Sequence, residues 1–204
     1  ARGVQMTVSH VRRWVPLWRR AVELIADGVV GAVRCVRVAM PNRILSIGSH
    51  AVDLALMLGG PSSQVTAMDV PALFEEGEAA RPVFIQFVSG AYGIVQVTGL
   101  KSRLVVEAEV LGDSGRLIIH EGNGTVELEK FEASSKYDNY LELIPSQSWQ
   151  EQTMADFSPF VAAADELAGL VRGTINKPSC SAADALSVME ILDQASDDGS
   201  LNVA

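Results

Sequence analysis

The chain is organised around the stretch from Ser46 to Gly60, which has the sequence SIGSHAVDLALMLGG. Hydroxyl groups and a glycine at the front of this stretch are typical of a helix start. The paired glycines at its end are typical of a helix stop, and mostly apolar residues lie between the two signals. The stretch therefore predicts a short helix.

Within this helix, His50 and Asp53 are three residues apart, so both side chains project from one face. The carboxylate is then close enough to orient the imidazole, and an imidazole with a pKa near 6.5 can take or give a proton at neutral pH. The alternative is a structural histidine that caps its own helix and packs against a sheet. The spacing alone leaves both interpretations open.

The composition limits the class of protein. The chain has 204 residues, of which 48% are hydrophobic, and this is enough for a substantial globular core. A net charge of -9 argues against binding to nucleic acid or to an anionic membrane. No uninterrupted apolar run is long enough to span a bilayer, and the two cysteines are not in a Cys-x-x-Cys pair. We therefore expect a cytoplasmic protein.

The order of apolar patterns predicts the fold class. β-rich runs follow one another with tight turns between them, most clearly at Ser89-Gly90 and at residues 121–124. Helical periodicity marks the segments after Pro16, after Ser158 and after Ser181, with Leu186, Met189 and Leu192 predicted on the inner face of the last helix. Residues 134–152 are polar and are predicted to form an exposed connection. The chain therefore predicts one α+β domain with a predominantly antiparallel open sheet of about six strands and helices on one face.

Several motifs of known catalytic and cofactor sites are absent from the sequence, which limits the reactions that this chain could catalyse by itself. The sequence has no Gly-x-Gly-x-x-Gly, no phosphate-binding loop, no nucleophile elbow and no metal-spaced Cys/His set. Only three histidines occur, at positions 10, 50 and 120, and His120 beside a hairpin turn is predicted to be solvated. If this domain transfers protons, His50 is the candidate by elimination. No metal site is predicted, and any redox step needs a cofactor held elsewhere.

Basic side chains flank the candidate site in sequence. Arg12 and Arg13 come directly before Trp14, and Arg43 precedes the central helix. The arginine pair is either a solvated helix entry or a source of guanidinium groups for a carboxylate, phosphate or sugar hydroxyl at the mouth of a cleft.

Four motifs along the chain resemble one known family. They are Val8 to Pro16 with its Arg-Arg-aromatic segment, Leu24 to Gly31 with Gly-hydrophobe-hydrophobe-Gly, the Gly-x-His-x-x-Asp helix at 48–53 followed by Leu58-Gly59-Gly60, and the tail from Ala183 to Val203. In this order they resemble the C-terminal domain of the Gfo/Idh/MocA oxidoreductases, a family that includes glucose-fructose oxidoreductase, inositol 2-dehydrogenase and MocA. The resemblance covers nearly all of the chain.

The resemblance implies a two-domain enzyme that uses NAD or NADP. The nucleotide-binding Rossmann domain is expected before Ala1 and outside this chain. Residues 1–204 are then a single substrate-binding and oligomerisation domain, like the C-terminal domain of glyceraldehyde-3-phosphate dehydrogenase. Its open sheet face is implied to build homodimers or homotetramers.

The resemblance also implies residue roles. His50 exchanges a proton with a hydroxyl of a sugar, cyclitol or other polyhydroxy substrate, and Asp53 orients His50. Beyond the resemblance, we expect contacts to the cofactor from Arg12 and Arg13, and contacts to the substrate from the set Arg13, Arg43, Ser46 and Lys101.

One position departs from the family pattern. Many family dehydrogenases have an aspartate four residues before the histidine, and this chain has Ser46 there. A serine forms hydrogen bonds but is not a carboxylate base. The departure keeps a second hypothesis open, a non-catalytic ligand-binding or oligomerisation module of the same fold. A third hypothesis is an isomerase or lyase that uses His50 alone.

Overall fold

The computed structural model describes residues 6–41, 44, 47–68, 82–97 and 104–196. These residues form eight strands, four α-helices and one 3₁₀ turn. The strands are β1 (Val33–Met40), β2 (Ser62–Ala67), β3 (Val83–Phe87), β4 (Tyr92–Val97), β5 (Glu107–Gly112), β6 (Gly115–His120), β7 (Thr125–Ala133) and β8 (Leu141–Gln150); the helices are α1 (Pro16–Ala26), α2 (Gly48–Gly59), α3 (Pro159–Arg172) and α4 (Ala182–Ala195), and the 3₁₀ turn is Val11–Trp14.

The strands form one open sheet in the order β2-β3-β4-β1-β5-β6-β7-β8. Its centre is β1, where Val38 pairs with Val95 of the parallel strand β4 and with Ala108 of the antiparallel strand β5. The remaining neighbours pair antiparallel. The predicted α+β class with a mostly antiparallel open sheet is confirmed, and the sheet is larger than the six strands predicted.

Strand β8 falls where an exposed polar connection was predicted, and that prediction was wrong. The strand pairs with β7 along its whole length, and most of its residues are exposed. Because it is an edge strand with little burial, its sequence lacks the apolar alternation that marks a half-buried strand. Pro145 lies beside a register shift opposite Glu129, a position at an edge where a proline is tolerated.

The core lies between the helices and one face of the sheet. Helix α2 packs on the central strands β1 and β4, α4 packs on α2 and β2, and α1 packs near β6 and β7. Trp18 of α1 and Leu54 of α2 are fully buried in this layer. The helices therefore cover one face of the sheet, as the sequence predicted.

The inner face of α4 differs in part from the prediction. Ser181 and Asp184 form the predicted reciprocal cap, in which each side chain binds the backbone N–H of the other residue. Leu192 is buried, but Leu186 and Met189 are exposed. The face that enters the core is instead made by Val188, Ile191, Leu192 and Ala195. The cap is a local signal, whereas the direction in which a helix faces depends on its partners.

The opposite face of the sheet carries charged side chains. Arg116 of β6 pairs with Glu109 of β5 at 3.5 Å and with Glu129 of β7, where its Nε lies 2.7 Å from Oε2. Arg37 of β1 lies 3.9 Å from the same Glu109. These neighbouring strands thus keep a half-exposed row of ion pairs on the face away from the helices. No helix within the described ranges is long and apolar enough to cross a membrane.

Candidate active site

His50 is the third residue of α2 and lies in its first turn. The helix starts at Gly48, where an added Cβ would come within 2.6 Å of Ile44, so the glycine lets the first turn approach this side chain. The imidazole of His50 is half-buried, and its Nδ1 is buried without a hydrogen-bond partner among the residues that the structure describes. An unpartnered buried nitrogen is costly in a purely structural histidine.

Asp53 is buried one turn further along α2 and pairs with residues from the start of the chain. Arg13 donates to its Oδ1 from Nε at 2.9 Å and from Nη2 at 2.7 Å, and to its Oδ2 from Nε at 3.1 Å. The Nδ1 of His10 lies 3.1 Å from the same Oδ1. Among the described contacts Asp53 forms no hydrogen bond or ion pair with His50. Asp53 thus pairs with Arg13 and His10, partners that the sequence did not reveal, and its role in orienting His50 stays a prediction.

His10 is the residue of this cluster that the sequence analysis did not select. Its ring lies 5.8 Å from the ring of His50, centroid to centroid, with an interplanar angle of 72°. Burial by itself lowers the pKa of His10, but the hydrogen bonds with Asp53 and Cys180 and their charges raise it to about 9. His10 is therefore protonated at neutral pH, and its charge lies beside His50.

Burial and two neighbouring positive charges favour the neutral imidazole of His50. Burial, then the charge of Arg12 and then the charge of His10 hold the pKa of His50 below its ordinary value, while Asp53 and Glu121 act in the opposite direction. The position of His50 at a helix N-terminus disfavours the imidazolium in the same sense. A neutral imidazole at pH 7 is able to accept a proton.

Arg12 is held on the other side of the cluster by Glu121, which follows β6. Its Nε and Nη2 donate to the two carboxylate oxygens at 2.8 and 3.0 Å, and the indole of Trp18 donates to the same carboxylate at 2.6 Å. Arg12 and Glu121 are both buried. This two-pronged ion pair fixes the 3₁₀ turn to the β6–β7 hairpin and places a positive charge near His50.

Arg13 also ties the turn before α4 to the cluster. Its Nη1 donates to the carbonyl of Ser179 at 2.8 Å and lies 3.5 Å from Asp184. Most of its donors are therefore used inside this domain. The predicted contacts of Arg12 and Arg13 with a cofactor, and of Arg13 with a substrate, stay predictions.

A metal ion at this cluster would have to compete with the contacts that Arg13 and His10 make with Asp53. His10, Asp53 and Cys180 offer ligand atoms that lie within 4.8 Å of one another, and the thiol of Cys180 is 3.7 Å from Nδ1 of His10. The Asp53 carboxylate, however, already accepts from Arg13, whose positive charge disfavours a cation at the same oxygens. The described atoms form a satisfied hydrogen-bond network, and we assign no metal to it.

Two cavities lie beside Arg13, near the C-terminal half of α2. One of about 350 Å³ extends over Met57 and Ser179, and the other, of about 340 Å³, extends over Met57 and Asp184. Seven residues separate Met57 from His50, which is about 10 Å along a helix, and His50 lines neither cavity.

Three predicted substrate contacts, Arg43, Ser46 and Lys101, lie outside the described residues. His120 is described, and the prediction of a solvated side chain holds only in part. It is partly exposed, and its Nδ1 lies 3.3 Å from Glu107.

We compared the chain with protein families, curated sequences and solved structures. No family model and no curated protein sequence matches the chain. Solved structures do match. One of them is an oxidoreductase from Agrobacterium radiobacter in complex with NAD+, L-tartaric acid and magnesium. Its TM-score is 0.71 and its sequence identity is 18%, and the match covers 95% of this chain and 64% of that one. The chain has the fold of the Gfo/Idh/MocA sheet domain.

Two further solved structures share this fold. Levoglucosan dehydrogenase in complex with NADH has a TM-score of 0.68 and 18% identity, over 94% of this chain and 63% of that one. GenD2 from gentamicin A biosynthesis in complex with NAD has a TM-score of 0.66 and 24% identity, over 92% of this chain and 60% of that one. The chain thus spans less than two thirds of each of these proteins.

Proposed function

We propose that this chain is the substrate-binding domain of an NAD(P)-dependent oxidoreductase that acts on a sugar, cyclitol or related hydroxy compound. The observation that carries the proposal is the buried, unpartnered Nδ1 of a neutral His50 at the start of α2. The sheet-domain fold, shared with proteins solved with NAD or NADH, supports it.

In the proposed chemistry, the substrate alcohol loses a hydride to one acceptor and a proton to another. NAD or NADP, when bound, would supply the acceptor for the hydride of the carbinol carbon. His50 takes the hydroxyl proton, so that the carbon–hydrogen and oxygen–hydrogen bonds break as the carbonyl forms. The charges of His10 and Arg12 keep His50 in the form that accepts a proton. In the direction of reduction, the protonated His50 returns the proton.

The contacts of this chain support a cofactor site that lies mainly on another domain. The guanidinium groups of Arg12 and Arg13 are paired with Glu121 and Asp53, so neither is a free anchor for a pyrophosphate. We therefore propose a Rossmann domain before Ala1 that binds NAD or NADP, with Arg12 and Arg13 near the junction of the two domains.

A second candidate function is a non-catalytic module that binds a ligand in the same place. Ser46 favours it, because a serine stands where the resemblance leads us to expect a carboxylate. For either function we propose a cytoplasmic homodimer or homotetramer formed through the open sheet face, whose row of ion pairs on β5, β6 and β7 is half-exposed.

The test is hydride transfer by the longer protein that contains this chain. We expect that protein to reduce NAD+ or NADP+, followed at the nicotinamide absorbance, with at least one member of a panel of sugars, inositols and sugar acids. We expect the 204-residue chain alone to bind neither dinucleotide by calorimetry, since Arg12 and Arg13 are already paired.

Two outcomes would contradict the proposal. Tight dinucleotide binding by the 204-residue chain would place the cofactor site in this domain. A longer protein that binds a member of the panel but transfers no hydride to either dinucleotide would favour the non-catalytic module.

A further inference from the structure

Two arginines beside the candidate site are already neutralised by buried carboxylates. Arg12 donates to both carboxylate oxygens of Glu121, and Arg13 donates to both oxygens of Asp53. Both carboxylates are buried, so water and salt screen these pairs only weakly. Each guanidinium therefore uses the charge of one carboxylate.

His10 adds a third positive charge to this cluster. Its Nδ1 lies 3.1 Å from Oδ1 of Asp53, the oxygen that already accepts from Nη2 of Arg13 at 2.7 Å. Burial opposes the charge of His10, but its hydrogen bonds with Asp53 and Cys180 outweigh burial and raise its pKa to about 9. Among the residues that the structure describes, Asp53 and Glu121 are the only buried carboxylates. Three cations therefore share two buried anions.

Asp184 also lies beside the cluster, but its charge faces water. Its Oδ1 is 3.5 Å from Nη1 of Arg13, and its side chain is 37% exposed. Its Oδ2 accepts from the backbone N–H of Ser181 as part of the cap of α4. Because solvent screens an exposed charge, Asp184 does little to offset the charge of His10.

The charges that reach His50 are positive on balance. After burial, which has the largest effect, Arg12 and then His10 lower the pKa of His50, and Asp53 and Glu121 act in the opposite direction with smaller effects. The ring of His10 lies only 5.8 Å from the ring of His50. The chain as a whole carries a net charge of -9, so this local excess is opposite in sign to the rest of the protein.

We propose that the substrate of this site is a hydroxy acid, whose carboxylate lies beside the imidazolium of His10 while its hydroxyl meets His50. This inference rests on the proposed function, which supplies the hydroxyl chemistry, and it narrows the substrate class to anions. A carboxylate a few bonds from the hydroxyl spans the distance between the two rings. His10 is then a residue that determines specificity.

A bound anion also suits the proposed proton transfer. Its negative charge offsets the excess positive charge around His50 and stabilises the protonated imidazole. The pKa of His50 therefore rises toward its ordinary value when the substrate is bound. A base whose pKa lies nearer to the working pH accepts a proton more effectively. The charged substrate thus strengthens the group that takes its own proton.

The test uses three achiral compounds that share one hydroxymethyl group and differ in the charge of the other end. They are glycolate, which is negative, ethylene glycol, which is neutral, and ethanolamine, which is positive at pH 7. In the 204-residue chain, glycolate should shift the ring-proton resonances of His50 and His10 at a concentration at least about tenfold lower than the other two need. Glycolate should also raise the pKa of His50, and ethylene glycol should leave it unchanged.

Two variants separate the charge of His10 from its shape. His10→Gln should abolish the preference for glycolate, because the amide is neutral, and His10→Lys should keep it, because the ammonium is positive. His120 is the internal control, since it is partly exposed and pairs with Glu107. Its resonances should not move. The comparison of the three compounds on the unchanged chain needs no variant, so it decides the proposal even if a variant fails to fold.

Three results would overturn the proposal. They are equal shifts with the three compounds, no shift of His50 with glycolate at about 0.1 M, and a shift of His120 as large as that of His50, which would mark unspecific binding of anions.

The proposed function can fail separately from this inference. Hydride transfer by the longer protein from alditols but not from the matching aldonates would reject the hydroxy acid and leave the proposed function intact. Glycolate binding at His50 in a longer protein that transfers no hydride would reject the proposed function alone.

Discussion

Replacing His50 with glutamine in the longer protein should lower kcat/KM for alcohol oxidation by about 100- to 10,000-fold, the usual contribution of a positioned proton acceptor. Glutamine keeps a polar side chain of similar size but cannot accept the proton. For the unchanged protein, the rate of oxidation should fall as the pH drops below the pKa of His50, because the imidazolium has no free acceptor. Steady-state rates between pH 5 and 9 measure both effects.

The matched control for this prediction is His120→Gln. His120 lies at the end of β6, is partly exposed and pairs with Glu107 on the strand next to it. We expect this variant to keep the rate and the pH profile of the unchanged protein. Turnover by His50→Gln within about threefold of the unchanged protein would show that His50 is not the proton acceptor.

Replacing Asp53 with asparagine should lower the free energy of unfolding of the 204-residue chain by about 3 to 5 kcal/mol, because it breaks a buried ion pair. Asp53 is 1% exposed, and its carboxylate faces both Arg13 and His10. An amide leaves these two positive groups buried without their counter-charge. Urea unfolding followed by circular dichroism measures the change.

Asp165→Asn is the control for this substitution, since Asp165 is exposed on α3. It should change the free energy of unfolding by less than about 0.5 kcal/mol. A loss of less than about 1 kcal/mol for Asp53→Asn would mean that the pairing with Arg13 and His10 is not what holds the start of the chain to α2.

The elements with strong local signals were predictable from the sequence. The helix at α2 ends at its double glycine, although its N-cap is Ile47 and no side chain caps its start, and α4 has its capping box at Ser181 and Asp184. Such signals act over three or four residues, so they survive whatever the rest of the chain does. Strand β8 was missed because an exposed edge strand buries too little to need an apolar pattern.

The contacts within the site depend on residues far apart in sequence, and no local pattern predicts them. The spacing of His50 and Asp53 suggested a direct contact, yet Asp53 pairs with Arg13, 40 residues earlier. A two-pronged guanidinium–carboxylate pair is stronger than a bond to a neutral imidazole, so it determines where the carboxylate points. His10 meets Cys180 across 170 residues, which is why neither was selected.

Helix α3 also shows that a local pattern predicts an element but not its packing partners. Its spacing of apolar residues correctly predicted a helix after Ser158. The spacing does not say what the apolar face packs against. In this chain the face points outward, and that finding came only from the structure.

The most direct test of this account is a proton NMR titration of the three histidines of the 204-residue chain, each assigned by its glutamine variant. The account predicts that His50 titrates below 6.5, because burial and the charges of Arg12 and His10 disfavour its protonated form, and that His10 titrates near 9. A His50 that titrates at or above 6.5, beside a His10 that has lost its proton by pH 7, would contradict the claim that this cluster maintains a neutral proton acceptor.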